Sequence, residues 1–171
     1  MRRMIGTACL LALLLTGCLS PQTAEVFYLE DVLPSEPPAV FTIGFGLPAD
    51  AVQQKTDDGY RKSYQAGDGS YAIETAVCPG VDAGTLMQEL CGAGPEALHP
   101  IKTTRYGMEE YRFSWCREAD DGLYVCTAAI LEDDGCCYSL VFSAPEAQAK
   151  ACRGVRRQVM ESFALFEDEG F

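Results

Sequence analysis

Apolar positions along this chain follow three patterns in turn. An unbroken run from Ile5 to Leu15 stands behind Arg2 and Arg3. From Ala39 onward the dominant rhythm has a period of two, which sends alternate side chains to opposite faces of a strand. Val40 to Phe45 sets Phe41, Ile43 and Phe45 on one side, with Thr42 and Gly44 on the other. Tyr60 to Gln65 and Ser70 to Val77 flank Ala66-Gly67-Asp68-Gly69, which is turn chemistry for a hairpin. Met108 to Arg117 carries Tyr111, Phe113 and Trp115 on one face. Leu123 to Leu131 and Cys136 to Ser143 complete a meander, and both are apolar on both sides, as in the middle of a covered sheet.

The third pattern has the helical period. Asp82 to Cys91, closed by Gly92, places Leu86 and Leu90 four apart with Met87 beside them. Ser143-Ala144-Pro145-Glu146 has the form of a capping box with proline in the first turn. From it a helix is expected to run to about Phe163, with Cys152, Val155, Val159 and Phe163 on its buried stripe. The order of elements predicts an α+β fold: an antiparallel β-sheet of about five to seven strands flanked by helices, with a long C-terminal helix packed on the sheet. Three Asp-Asp-Gly triplets, at 57–59, 120–122 and 133–135, each precede a strand. They lack the alternating oxygen ladder of a calcium loop and are expected to be turns.

The first pattern changes what the chain is expected to be. A charged start followed by an apolar run too short to span a bilayer has the form of a signal peptide. Leu15-Thr16-Gly17-Cys18 directly after it resembles the bacterial lipobox, in which small residues admit the backbone to a peptidase and the thiol carries diacylglycerol. That resemblance implies a lipoprotein with Cys18 as the lipidation site, held on the extracytoplasmic face of a membrane by its acyl chains. The expected organisation is a signal peptide over 1–17, then the lipidated cysteine and a proline-rich tether over 18–38. A single domain over 39–166 and an acidic tail over 167–171 complete it.

Charge and cysteines narrow the partners. Removing the signal leaves 11 basic against 25 acidic residues, a net charge of −14. Such a surface repels nucleic acid, so nucleic acid is excluded as a partner. Lys150, Arg153, Arg156 and Arg157 form a basic cluster on the last helix and are expected to be a solvated face. Beyond Cys9, which falls in the signal, and Cys18, the chain holds Cys78, Cys91, Cys116, Cys126, Cys136, Cys137 and Cys152. Seven cysteines in an exported domain point to disulfides with at least one left over, and otherwise to buried small hydrophobes. Cys136 and Cys137 would face opposite ways in a strand. Cys78 ends a strand that turns into the helix finishing at Cys91, and these two are the candidate disulfide.

Catalytic chemistry has little to work with. His99 is the single histidine and precedes Pro100. No thiol stands near it in sequence, so no metal site of the usual Cys/His spacing is expected. Glu109 and Glu110, adjacent on a strand, face opposite ways and cannot act as a paired acid and base. No serine sits in a nucleophile elbow and no glycine loop cradles phosphate. No cofactor and no metal are expected.

The run Tyr138-Ser139-Leu140-Val141-Phe142-Ser143-Ala144-Pro145-Glu146, then a helix closing in Ser162-Phe163, resembles the PsbP/DcrB-like fold. Phe41-Thr42-Ile43-Gly44-Phe45-Gly46-Leu47-Pro48 is similar to that fold's opening strand and proline turn. The resemblance covers residues 39 to 166. It implies an antiparallel sheet between helical layers and a role as an extracytoplasmic lipoprotein or accessory subunit. It carries over no functional residue, and this chain departs from it in cysteine density. Two readings follow. The first is a membrane-tethered, non-enzymatic binding or accessory domain whose partner is an envelope protein, a peptide or a glycan. The second is a thiol-dependent redox or hydrolytic enzyme using one of the cysteines.

The lipid anchor has a direct check. Cys18→Ala protein, expressed in a host with the lipoprotein pathway, is expected to stay unprocessed and to take up no labelled fatty acid. Retained label would move the anchor elsewhere.

Overall fold

The computed structural model describes residues 41–56 and 59–167. The signal peptide, Cys18, the tether and most of the acidic tail lie outside these residues. The strands are β1 (Phe41–Gly44), β2 (Ala51–Gln54), β3 (Arg61–Ala66), β4 (Ala72–Pro79), β5 (Ile101–Arg105), β6 (Met108–Ala119), β7 (Gly122–Asp133), β8 (Cys136–Pro145) and β9 (Ala164–Glu167). The helices are α1 (Ala83–Cys91), α2 (Pro95–Leu98), α3 (Glu146–Ala149) and α4 (Arg153–Glu161).

Seven strands form one antiparallel sheet in the order β2-β3-β4-β8-β7-β6-β5, and β1 pairs with β9 as a separate ribbon. The Asp-Asp-Gly turns explain the meander. Asp134 and Gly135 both have positive φ, 40° and 78°, the backbone that a two-residue hairpin loop requires. Tyr106 and Gly107 repeat this geometry between β5 and β6, at 55° and 83°. Among the described residues β2, β5, α2 and β9 are additions to the predicted elements.

β8 sits at the centre and is buried from Cys136 to Ala144. Its alternate residues supply two cores. Tyr138, Leu140, Phe142 and Ala144 pack with Ile73, Leu131, Val159, Met160 and Phe163, beneath α4 and the β1–β9 ribbon. Cys137 and Val141 pack on the other face with Ala128, Ile130, Phe113 and the α1 residues Ala83, Leu86 and Met87. Helices therefore cover both faces, as the α+β reading expected. Asp82 caps α1 by accepting from Thr85 N at 2.9 Å, and Gly92 closes it with φ 74°.

The long C-terminal helix is corrected. Helical structure is broken into the four-residue α3 and the nine-residue α4. Ser143 does not cap it, because β8 continues through Pro145 and pairs Ser143 with Ala72 and Cys126. The break falls where buried Cys152 donates its Sγ–H to Ser70 O at 3.5 Å, which ties that turn to the end of β4's hairpin. Phe163 is buried, yet it lies past the end of α4, where the chain turns extended to pair β9 with β1. Ser162 makes that exit. Its Oγ donates to Gln158 O at 2.7 Å and accepts from Gly46 N at 2.8 Å. Gly44 is needed for a related reason: a Cβ there would fall 2.3 Å from the Phe166 ring.

One buried charge holds α4 in place. Glu110 is 5% exposed and faces α4, whereas Glu109 faces the other way, towards Lys102. Glu110 accepts from Arg112 Nη2 at 2.8 Å and Nε at 3.0 Å, from Thr103 Oγ1 at 3.0 Å and from Arg105 Nη1 at 3.4 Å. The same arginines reach the last carbonyls of α4: Arg112 donates to Met160 O and Arg105 to Glu161 O, both at 3.4 Å. Cations at a helix C-terminus complement its dipole and its unpaired carbonyls. Burial by itself would raise the Glu110 pKa. The hydrogen bond and charge of Arg112, the Thr103 hydroxyl and the charge of Arg105 outweigh it and hold the carboxyl below its usual range.

Two outcomes check this packing. Phe163→Ala is expected to cost about 3–5 kcal/mol in urea unfolding, and half-buried Val155→Ala clearly less. Arg157→Ala, on the exposed face, is expected to stay within about 0.5 kcal/mol. Glu110→Gln tests the charge. A depressed folded pKa contributes stability above the unfolded carboxylate pKa and loses it as pH falls through the folded value. The wild type is therefore expected to exceed Glu110→Gln near pH 7, on the order of 2 kcal/mol, with the gap closing below about pH 4. An unchanging gap from pH 7 to pH 3 would show that the charge contributes nothing.

Candidate functional site

α1 covers only part of its sheet face, and a groove remains between it and the β3–β4 side. The groove encloses ≈ 260 Å³. Register explains its floor: Arg61 and Ser63 on β3 stand opposite Ala76 and Glu74 on β4, and these in turn stand opposite Ser139 and Val141 on β8. Leu86, Glu89 and Leu90 of α1 form the wall. The result is an apolar side, a hydroxyl-bearing floor, and both signs of charge at the rim. Ser139 is buried and donates to Ala76 O at 3.5 Å. Cys78 opens on the same groove.

The sequence-derived candidates separate in space. His99 is exposed, at the C-terminus of α2 with φ 48°, beside a shallow depression lined by Leu98, Ile101, Arg112, Phe113, Ser114 and Thr127. No cysteine lines that depression, so the structure does not join His99 to a thiol. Tyr111, Phe113 and Trp115 pack into the core under α1 rather than line the groove, and Trp115 Nε1 is buried with no partner among the described residues. Glu109 pairs with Lys102 Nζ at 2.7 Å and accepts from the Tyr111 hydroxyl at 2.5 Å. Among the described residues no cluster of His, Cys, Asp or Glu could hold a metal ion.

The candidate disulfide Cys78–Cys91 is not formed. All seven described cysteines are thiols in this structure. The physical reason is the length of α1: nine residues rise about 13.5 Å from the turn after Cys78. At its far end the Cys91 Sγ–H donates to Met87 O at 3.0 Å. Cys126, Cys136, Cys137 and Cys152 are buried, and Cys116 is exposed. Burial raises the thiol pKa of Cys126, Cys136 and Cys137. The groove was missed because its lining comes from strands and a helix far apart in sequence, and no local motif marks it.

Among the described residues no helix is long and apolar enough to cross a membrane. No protein-family profile matches the chain, and no curated protein matches it in sequence. Solved structures do. Cyanobacterial PsbP (CyanoP) of Synechocystis superimposes with a TM-score of 0.52 at 10% identity, over 76% of this chain and 95% of that one. A Bacteroides thetaiotaomicron protein gives a TM-score of 0.50 at 12% identity, over 77% of this chain but only 47% of its own length. A looser similarity, TM-score 0.40 at 10% identity, covers 75% of this chain and 86% of Mycobacterium tuberculosis LpqN, described as involved in cell envelope biogenesis. The architecture of this chain is PsbP-like, an antiparallel sheet covered by helices on both faces.

Proposed function

We propose that this chain is an extracytoplasmic lipoprotein, tethered through lipid on Cys18, whose domain is a non-enzymatic binding module. In this reading the groove between α1 and the β3–β4 side receives a short segment of an envelope protein. The groove itself carries the reading. At ≈ 260 Å³ it lies just under the about 300–1,000 Å³ of small-molecule sites, a size suited to one or two peptide side chains. Leu86, Leu90 and Val141 offer apolar contact, while Arg61, Glu74 and Glu89 at the rim suit charges of either sign. The signal-peptide pattern and the lipobox support the compartment, and the PsbP-like architecture supports a compact accessory domain.

The test is site-specific photocrosslinking of the full chain in its own envelope. A photoreactive amino acid at Ser63, in the groove, is expected to give one discrete crosslinked protein. The same group at Ser114, on the opposite sheet face, is expected to give none. Leu90→Arg should abolish the Ser63 adduct while leaving the melting temperature within a few degrees. Equal labelling from both positions, or none from Ser63, would remove the groove as the binding site.

A further inference from the structure

Two thiols meet across the sheet in a way that the expected Cys78–Cys91 bridge did not anticipate. Cys78 on β4 stands directly opposite Cys137 on β8, on the face that α1 packs against. The kind of pairing follows from a neighbour. Gly80 N donates to Gly135 O at 2.7 Å in the same register. Hydrogen-bonded and non-bonded pairs alternate along an antiparallel ladder, so Cys78 and Cys137, two steps on, are also a hydrogen-bonded pair with Cα atoms about 5.5 Å apart. That is the commonest Cα separation in disulfides, about 5.5–6 Å.

The Cβ atoms are less well placed. In such pairs they sit at the wide end of a range of about 4.5–5.5 Å, against about 3.5–4.5 Å in a relaxed bridge. Closure must draw β4 and β8 together by about 1 Å, and a bridge under strain is readily reduced again. Access differs between the two sulfurs. Cys78 is half-buried and lines the groove, whereas Cys137 is 0% exposed beneath it.

We propose that Cys78 and Cys137 are a reversible dithiol pair, oxidised from the groove by exchange with a small soluble disulfide. The Cys78 thiolate attacks one sulfur of the disulfide, and the other sulfur leaves as a thiolate. The Cys137 thiol then loses its proton and attacks the Cys78 sulfur, closing the cross-strand bond and releasing the second small thiolate. Both protons end on the two released thiols, and the two electrons pass from the cysteine pair to the small disulfide. Burial, then the charge of Glu132 and the adjacent Cys78, raises the Cys137 thiol pKa, so the second step is the slow one at neutral pH. The other cysteines are placed differently. Cys136 lies in the core on the opposite face, and Cys91 hydrogen-bonds within its own helix turn. This chemistry does not depend on what occupies the groove.

The experiment uses reduced, folded full chain exposed to oxidised glutathione, followed by alkylation and non-reducing peptide mapping. A Cys78 peptide linked to the Cys136–Cys137 peptide is expected, and the same link should persist in Cys136→Ser protein. In Cys137→Ser protein, Cys78 is expected to hold a single glutathione with no internal bridge. Raising the pH from 7 to 9 should speed bridge closure by more than about tenfold in the wild type, because the thiolate fraction of a thiol held above its usual range rises about tenfold per pH unit. A Cys78–Cys91 link, loss of the link in Cys136→Ser, or wild-type protein retaining both thiols would each overturn the proposal. The wild-type mapping decides even if a variant fails to fold.

Discussion

A strand buried on both faces is the constraint on which the rest of this structure depends. β8 cannot keep either side in water, so each face needs its own covering layer. Tyr138, Leu140 and Phe142 are matched by α4, Phe163 and the β1–β9 ribbon, while Cys137 and Val141 are matched by α1. Burying such side chains contributes roughly 1.5–3 kcal/mol each for the larger apolar ones, and leaving either face bare would forfeit that contribution. The hydroxyls on β8 are part of the same constraint. A buried hydroxyl without a partner costs about 1–3 kcal/mol, and Ser139 answers this by donating to the β4 backbone.

The layer over the first face is held by charge as well as by apolar contact. α4 is nine residues long and strongly basic, and its buried residues are Val159 and Met160. A helix of that length is marginal by itself. Glu110 answers this indirectly, because it fixes Arg112 and Arg105 where they also meet the helix's last carbonyls. One carboxylate thus orders two cations, one helix end and the edge strand β5. On the opposite face Glu109, its neighbour in sequence, makes an exposed pair with Lys102 and accepts from the Tyr111 hydroxyl.

The groove arises from an economy in the second layer. α1 is too short to span seven strands, so its Leu86 and Leu90 cover the middle of the sheet and leave the β3–β4 side open. What lies open there is the same ladder that places Cys78 against Cys137. The groove and the Cys78–Cys137 pair therefore share one floor. Cys78, Cys91 and Cys137 lie on this face, whereas Cys136 and Cys152 belong to the core on the other and Cys116 is exposed.

Much of this architecture was legible in the amino-acid order. Alternation marked β1 and β6, the turn residues between β3 and β4 marked that pair, and short runs apolar on both sides marked β7 and β8. Asp82 and Gly92 marked both ends of α1, and Asp134-Gly135 marked a hairpin, because capping and positive φ are local demands. The signal pattern and Cys18 were read from sequence alone and lie outside the described residues. Local rules failed where tertiary pairing competed with them. The apparent capping box at Ser143 lost to the β8 ladder, and the apparent helical stripe ended when Phe163 and β9 turned to meet β1. The groove, the Glu110 cluster and the partner of Cys78 were decided only by the fold. Each joins residues from separate elements, and no local spacing encodes which strand comes to lie beside which.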